Sequence, residues 1–422
     1  MKSAYPWKEH TSPSEFAGRR PMNWTPISKT YVFAALDGEP RPMGILAKDP
    51  SGLRFAYAQS WLSSPDAFSA DPLNLPLSPG EKTASKLWGC FEDATPDNWG
   101  RKVLLATHKQ APANELEWLL ASRGAGAGCL LFSASRHSVA PPVPVPSFSE
   151  LERLLELADE IDRGELPDHL DDALAKLLVY GSSMGGARPK VTVRLDERQY
   201  IAKLSRRDDL FNQPRAEFAS LAMAKDAGIP VPGHRLHTVN GRTLLLIERF
   251  DREGEHRCHY LSANALIAPE RMRQGDMEGS VSYLRLATII QKISQDAQAD
   301  RHDLYRRMIF NISISNTDDH LKNHGFLHQG HDQYRLAPAF DLLPHPEQTD
   351  ELALIVGTQG RAATFENALS QCERFGLSKV QASQIIEEVM AVTTHAASYF
   401  QEAGLSPVEV GILSAACGLN RM

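Results

Sequence analysis

Three oxygen-bearing side chains late in the chain are spaced for phosphoryl transfer. In SNTDDHLKNHGF, Asp318 lies five positions before Asn323. Kinase catalytic loops keep that spacing between the Asp that orients an attacking hydroxyl and the Asn that holds magnesium. A second metal-binding carboxylate is then needed after a hairpin. Asp341, preceded by Phe340 in YRLAPAFDLLP, stands there. Magnesium takes hard oxygen ligands and keeps several waters, so oxygens from two separate segments suit it. Asp and Asn also cap turns, and D-x4-N alone arises often by chance. The trailing Asp gives the set its specificity. His320 and His324 are four apart and could ligate a metal from a helical face. No glutamate sits between them as in a zincin, which favours loop orientation through hydrogen bonds.

The other half of such chemistry is a nucleotide site. YGSSMGGARPKVTVRL places Gly181, Gly185 and Gly186 before a strand, so backbone N–H groups could approach phosphates. It lacks the GxxxxGK[ST] of a P-loop, and alone it reads equally as a hairpin turn. Lys203 in QYIAKL can point from an alternating strand toward the α- and β-phosphates, and Glu217, fourteen residues on, can pair with it. LLLIERFDR runs a buried strand into Glu248, Arg249, Phe250 and Asp251. That suits an interlobe hinge with backbone groups for adenine, or an edge strand entering a charged loop.

These side chains need a scaffold in a fixed order. Residues 1–21 are polar and read as an arm. YVFAALDGEPRPMGILA predicts two short strands, LRFAYAQSWL a strand running into a turn, and PDNWGRKVLLATHK a helix from near Pro96. ELEWLLASRGAGAG predicts a short helix stopped by glycines. The prolines of 136–147 make an extended strap. SFSELERLLELADEID opens with a capping signature and continues with helical periodicity. KVTVRL, QYIAKL, HRLHTV and RTLLLIERF predict strands, with EFASLAMAKDAGI a helix between them. From about Asn264 the pattern is helical, broken by one hairpin. The expected class is α+β: a two-lobed kinase-like fold with a small α+β amino-terminal module. Its divisions fall at 1–21, 22–135, 136–147, 148–250 and 251–422.

The 422 residues suffice for two or three domains, and 42% are hydrophobic. A net charge of -7 argues against a nucleic-acid sleeve, which needs clustered Lys and Arg. The five cysteines are scattered with no CxxC pair, as in a cytoplasmic protein with reduced thiols. No signal-peptide pattern or membrane-length apolar run is visible.

Taken together, GSSMGGARPK, YIAKL, RAEFASLAMAKDAGIPVP, LLIERFDR, NTDDHLKNHGF and YRLAPAFDLLP resemble the HipA family of bacterial toxin kinases. The resemblance runs from about residue 30 to the C-terminus; GILA, FAYAQSWL and FEDATPDNWGRKVL resemble the family's leading domain. It implies a protein Ser/Thr kinase using ATP and Mg2+. Asp318 would be catalytic, and Asn323 and Asp341 would bind metal. Lys203 would meet the phosphates, with Glu248 and Phe250 binding adenine by the hinge backbone. It also implies an autophosphorylated serine in the Gly-rich loop. Ser183 with Gly186 matches that site best, Ser182 is adjacent, and Lys190 matches a lysine at the loop's end. Arg188 and Pro189 stand where the family pattern has Gln and an acidic residue, and the proline stiffens the loop. Implied partners are a protein substrate, in several members an aminoacyl-tRNA synthetase, and a helix-turn-helix antitoxin through which DNA is met. Two other readings share the residues: a small-molecule phosphotransferase, and a co-repressor for a DNA-binding antitoxin. The Ser183 loop and the amino-terminal module favour the protein kinase.

Overall fold

The structure, a computed structural model, describes residues 26–107, 111–140, 144–164, 188–206, 208–268, 281–346 and 349–417. Gly181, Ser182, Ser183, Gly185 and Gly186 lie outside the described residues, as does the arm 1–21.

The amino-terminal part forms an antiparallel sheet in the order β4-β3-β2-β1-β5, from β1 (Lys29–Ala34), β2 (Arg41–Asp49), β3 (Gly52–Tyr57), β4 (Glu81–Ala84) and β5 (Leu130–Ser133). Strand alternation turns Val32, Leu46 and Phe55 inward, and the register shift between β1 and β2 adds Met43, onto Trp61, Trp88 and Phe91, all buried. FAYAQSWL differs slightly from expectation. After β3 the chain makes one helical turn, Gln59–Leu62, because Trp61 must reach the core and donate its indole N–H to the Phe68 carbonyl at 3.1 Å. The helix Asn98–Thr107 begins two residues after Pro96. The helix Glu115–Ser122 is capped by Asn114 and stopped by Arg123 in left-handed backbone before Gly124.

A second antiparallel sheet, β6-β7-β9-β8, comprises β6 (Lys190–Leu195), β7 (Arg198–Leu204), β8 (His234–Val239) and β9 (Arg242–Glu248). The apolar run in β9 follows from burial on both faces. Leu244 and Leu246 pack toward the helix Leu151–Asp162, while Leu245 and Ile247 join the core shared with the helix Gln213–Asp226. Ser147 and Glu150 form the capping box, which opens a single 3-10 turn that runs on into Leu151–Asp162. The strap's end adds to the sheet edge: the Arg194 N–H donates to the Pro146 carbonyl at 2.7 Å.

The remaining chain is mainly helical: Tyr283–Ile293, Ala297–Ile314, Lys379–Thr393, Ala396–Glu402 and Pro407–Ala416. A two-residue hairpin, β10 (Arg252–Glu253) and β11 (His256–Arg257), follows the hinge. The predicted late hairpin is present as β13 (Gly325–Gly330) and β14 (Gln333–Leu336), and β12 (Tyr260–Ser262) joins it as a third strand. The described architecture is α+β, with the sheet lobe and helical lobe of a kinase-like fold behind the amino-terminal sheet. One apolar core runs from that first sheet into the helical lobe. Among the described residues no helix is long and apolar enough to cross a membrane.

Candidate active site

Alternation along β7 buries Ala202 and Leu204 on one face and sends Lys203 to the other, toward the helix Gln213–Asp226. Its ammonium donates to Glu217 Oε1 at 2.6 Å and to Asp341 Oδ1 at 2.8 Å. The predicted Lys–Glu pair is therefore made, and Lys203 also reaches the candidate metal ligand of the other lobe. Burial opposes the lysine's charge, but Asp341 and Glu217 outweigh it and hold Lys203 above its ordinary range. Lys203 in turn draws Asp341 down to about 2, so this carboxylate is ionised at any ordinary pH. Glu217 is pushed up by burial, against the pull of Lys203. Asp341 has φ +60°, a left-handed conformation that Asp tolerates better than most residues.

The long helix Ala297–Ile314 ends on Ser315 in left-handed backbone and releases the catalytic-type loop. Of the adjacent acids, Asp318 is exposed and Asp319 is buried. Asp319 accepts from the Tyr283 hydroxyl and from His324 Nε2 at 3.0 Å. Burial opposes its charge, yet His324 and the hydrogen bonds hold its carboxyl below the ordinary range. Asn316 donates to Asn311 Oδ1 at 3.0 Å and to the Asp341 carbonyl at 3.4 Å, tying the loop to the Asp341 segment. Asn323 is buried in a 3-10 turn and donates from Nδ2 to the Asp318 carbonyl at 3.3 Å. His324 bonds Asp319 within the loop, the loop-orienting alternative for that histidine rather than metal ligation. Among the described residues no group of three or more His, Cys, Asp or Glu is arranged to hold a metal.

Sequence reasoning missed Asp319, Tyr283, Asn311 and Asn316. Nothing in DD says which carboxylate turns inward. Asn316 beside a catalytic-type loop was the one available signal.

At the hinge, the Glu248 N–H donates to the Gly233 carbonyl at 2.7 Å, and the Arg249 N–H to the Gln199 carbonyl at 2.8 Å. The Glu248 carboxylate accepts from Arg198 at 2.7 and 2.8 Å. The Phe250 ring lies 5.7 Å from that of Phe340, the residue before Asp341, so the two rings pack against each other between the hinge and the candidate metal-ligand segment. Arg249 and Asp251 turn away from it. Buried Asp251 accepts from Arg249 at 3.0 and 2.9 Å, from Arg252 at 2.8 Å and from the Gly128 N–H at 2.9 Å. Both arginines also donate to the Gly126 carbonyl, and Arg257 donates to that of Gly124. The RGAGAG run is thus the amino-terminal half of a clamp on the hinge. A Cβ at Gly126 would lie 2.5 Å from the Ala94 carbonyl oxygen, so the close approach requires glycine.

Residues 36–133 match the HipA N-terminal domain and residues 182–397 match the HipA-like C-terminal domain. The chain belongs to the HipA family. The Shewanella oneidensis MR-1 HipA, solved with HipB and its operator DNA, superposes with a TM-score of 0.68 at 17% identity, over 92% of this chain and 94% of that one. "Putative kinase Y4mE" of Sinorhizobium fredii is 23% identical over 351 residues, covering 77% of this chain and 81% of its own length. A Haemophilus influenzae protein named "Putative kinase" is 27% identical over 188 residues, 40% of this chain and 54% of that protein. As a member of the HipA family the chain carries Lys203, Glu217, Asp318, Asn323 and Asp341 on the segments just described, spread over both lobes.

Proposed function

We propose that this chain is an ATP-dependent protein Ser/Thr kinase acting as the toxin of a toxin–antitoxin pair in the cytoplasm. The observation that carries the reading is the Lys203 bridge, which joins Glu217 of the sheet lobe to Asp341 of the helical lobe. Such a lysine is placed to meet nucleotide phosphates entering between the lobes. Adenine would lie at the hinge beside the packed Phe250 and Phe340 rings. With the Glu248 and Arg249 N–H groups engaged, its hydrogen bonds would fall to the Glu248 carbonyl and the Phe250 N–H. Asp318, exposed on its loop, would accept the proton of the substrate hydroxyl.

The donor set fits magnesium. Asp341 supplies an ionised oxygen, and donation from Asn323 Nδ2 leaves the amide oxygen as the atom for a cation. Magnesium there would neutralise charge on the β- and γ-phosphates. Asn316 would keep the Asp341 backbone in register with the Asp318 loop.

Autophosphorylation at Ser183, or at neighbouring Ser182, would place about -1.5 to -2 charge in the loop that Gly185 and Gly186 give to the nucleotide. That charge disfavours the ATP-bound state and would inhibit the enzyme. The partners are a protein substrate, with an aminoacyl-tRNA synthetase as candidate, and a helix-turn-helix antitoxin that carries any DNA contact.

The test is incubation with Mg-ATP labelled at the γ-phosphate, followed by phosphopeptide mapping, with Asp318→Ala as blank. Label on Ser183 or Ser182 and on a second protein, absent in the blank, is expected. Equal labelling in wild type and Asp318→Ala would sink the assignment, and label confined to small molecules would sink the protein-kinase reading.

A further inference from the structure

Lys190 opens β6 and pairs in register with Lys203. Opposed residues on antiparallel strands share a face, so both lysines point to the same side of the sheet. Val191, opposite Ala202, faces the other way into the core beneath Leu151–Asp162. The Lys190 side chain is 4% exposed. Its ammonium donates to Asp97 Oδ2 at 3.3 Å. Asp97 belongs to the amino-terminal part, and its other oxygen, Oδ1, accepts the Gly100 N–H at 2.7 Å and so caps the helix Asn98–Thr107. Two residues on, Trp99 donates its indole N–H to the Lys190 carbonyl at 2.8 Å. Both the backbone and the head group of Lys190 are therefore fixed by the same short stretch. Burial and the nearby Lys203 depress the Lys190 pKa, while Asp97 and Asp341 oppose that fall.

We infer that Asp97 is a positioning residue of the phosphoryl-transfer site: from the amino-terminal module it holds the Lys190 ammonium beside the Lys203–Asp341 pair, as a second cation for the nucleotide phosphates. The inference rests on the kinase reading above. It gives the module a part in phosphotransfer itself. A buried lysine next to another lysine needs carboxylates to stay charged and fixed, and Asp97 brings one of them from the module.

A purely structural tie between the two parts is the competing account, and the chain supplies its own control. Lys102, on the same helix, donates to the Asp162 carbonyl at 2.8 Å and its carboxylate at 3.2 Å, across the same junction but on a different carboxylate from the two that hold Lys203. Asp97→Asn keeps a good helix cap while removing the charge that faces Lys190. Calorimetry on the full-length chain should compare Mg-ATP with adenosine, which has no phosphates. Asp97→Asn and Lys190→Met should each weaken Mg-ATP about five- to tenfold and leave adenosine within about twofold, one charge-assisted contact being the difference. The double variant should be no weaker than Lys190→Met alone, and Lys102→Met should match wild type. Wild-type Mg-ATP affinity in Asp97→Asn overturns the inference. So does equal loss of ATP and adenosine, or a loss in Lys102→Met as large as in Asp97→Asn. In those cases Lys203→Met still losing Mg-ATP would leave the kinase reading standing. A wild-type chain that binds no Mg-ATP overturns both.

Discussion

Lys203 donates to two carboxylates at once, and substitution can separate what it does for each. Lys203→Met removes a charge-assisted partner of the phosphates and should weaken Mg-ATP binding on the order of tenfold or more, such a bond contributing about 1.5–3 kcal/mol. Titration calorimetry reads this directly, and unchanged affinity would take Lys203 out of the nucleotide site. The adjacent acids should separate in the same way. Asp319→Ala leaves the Tyr283 hydroxyl and His324 Nε2 buried without an acceptor. It should cost about 2–5 kcal/mol of stability. Exposed Asp318→Ala should shift stability by less than about 0.5 kcal/mol while abolishing transfer. Urea unfolding of the two variants side by side decides it, and equal destabilisation would contradict the division of labour. The D-x4-N spacing and the trailing Asp were legible because they are linear patterns, read from the order of residues alone. The inward turn of Asp319 was not, because it depends on Tyr283, 36 positions earlier.

At the scale of elements, periodicity announced most strands and helices. Alternation in β7 was enough to aim Lys203. β12 escaped notice: three residues carry no readable period, and their pairing partner lies beyond residue 324. The hinge segment allows an interlobe hinge or an edge strand entering a charged loop; β9 lies inside its sheet, and Arg249 and Asp251 are buried toward the amino-terminal part, which the charges alone do not show. Asp251 is held well below the usual carboxylate range; burial opposes its charge, but Arg249 and Arg252 outweigh it. Asp251→Asn would leave both arginines short of their counter-charge. A loss of about 3–5 kcal/mol is expected, read by chemical denaturation. A loss below about 1 kcal/mol would mean that the glycine carbonyls alone hold the clamp.

Across the whole molecule, the amino-terminal part meets the kinase-like part through titratable groups, and one of them should be visible in stability. Asp93 accepts from the Ser262 N–H at 2.6 Å and from its hydroxyl at 2.7 Å. Burial raises its pKa to about 7, with those bonds and Lys322 opposing. The folded state thus binds this proton more tightly than the unfolded chain, whose carboxyl titrates near 4. The corresponding stability is full below about pH 4 and is lost as pH rises toward 7. Between pH 5 and pH 8 the wild-type Tm should fall further than that of Asp93→Asn. Parallel falls would show that Asp93 titrates normally.

The clamp also has a consequence in time. The Gly126 carbonyl is synthesised 123 residues before the Arg249 guanidinium that binds it. At roughly 5–20 residues per second, ribosomal elongation alone leaves it waiting for about 6–25 s. Asp97 likewise emerges well ahead of Lys190. In that interval the nascent amino-terminal sheet offers hydrated carbonyls and carboxylates, which wait at little cost. The arginines, which would be hard to bury unaccompanied, leave the ribosome last, into a receptor already built. A circular permutant that translated Arg249 before Gly126 would reverse that order and present the cations to an unformed partner.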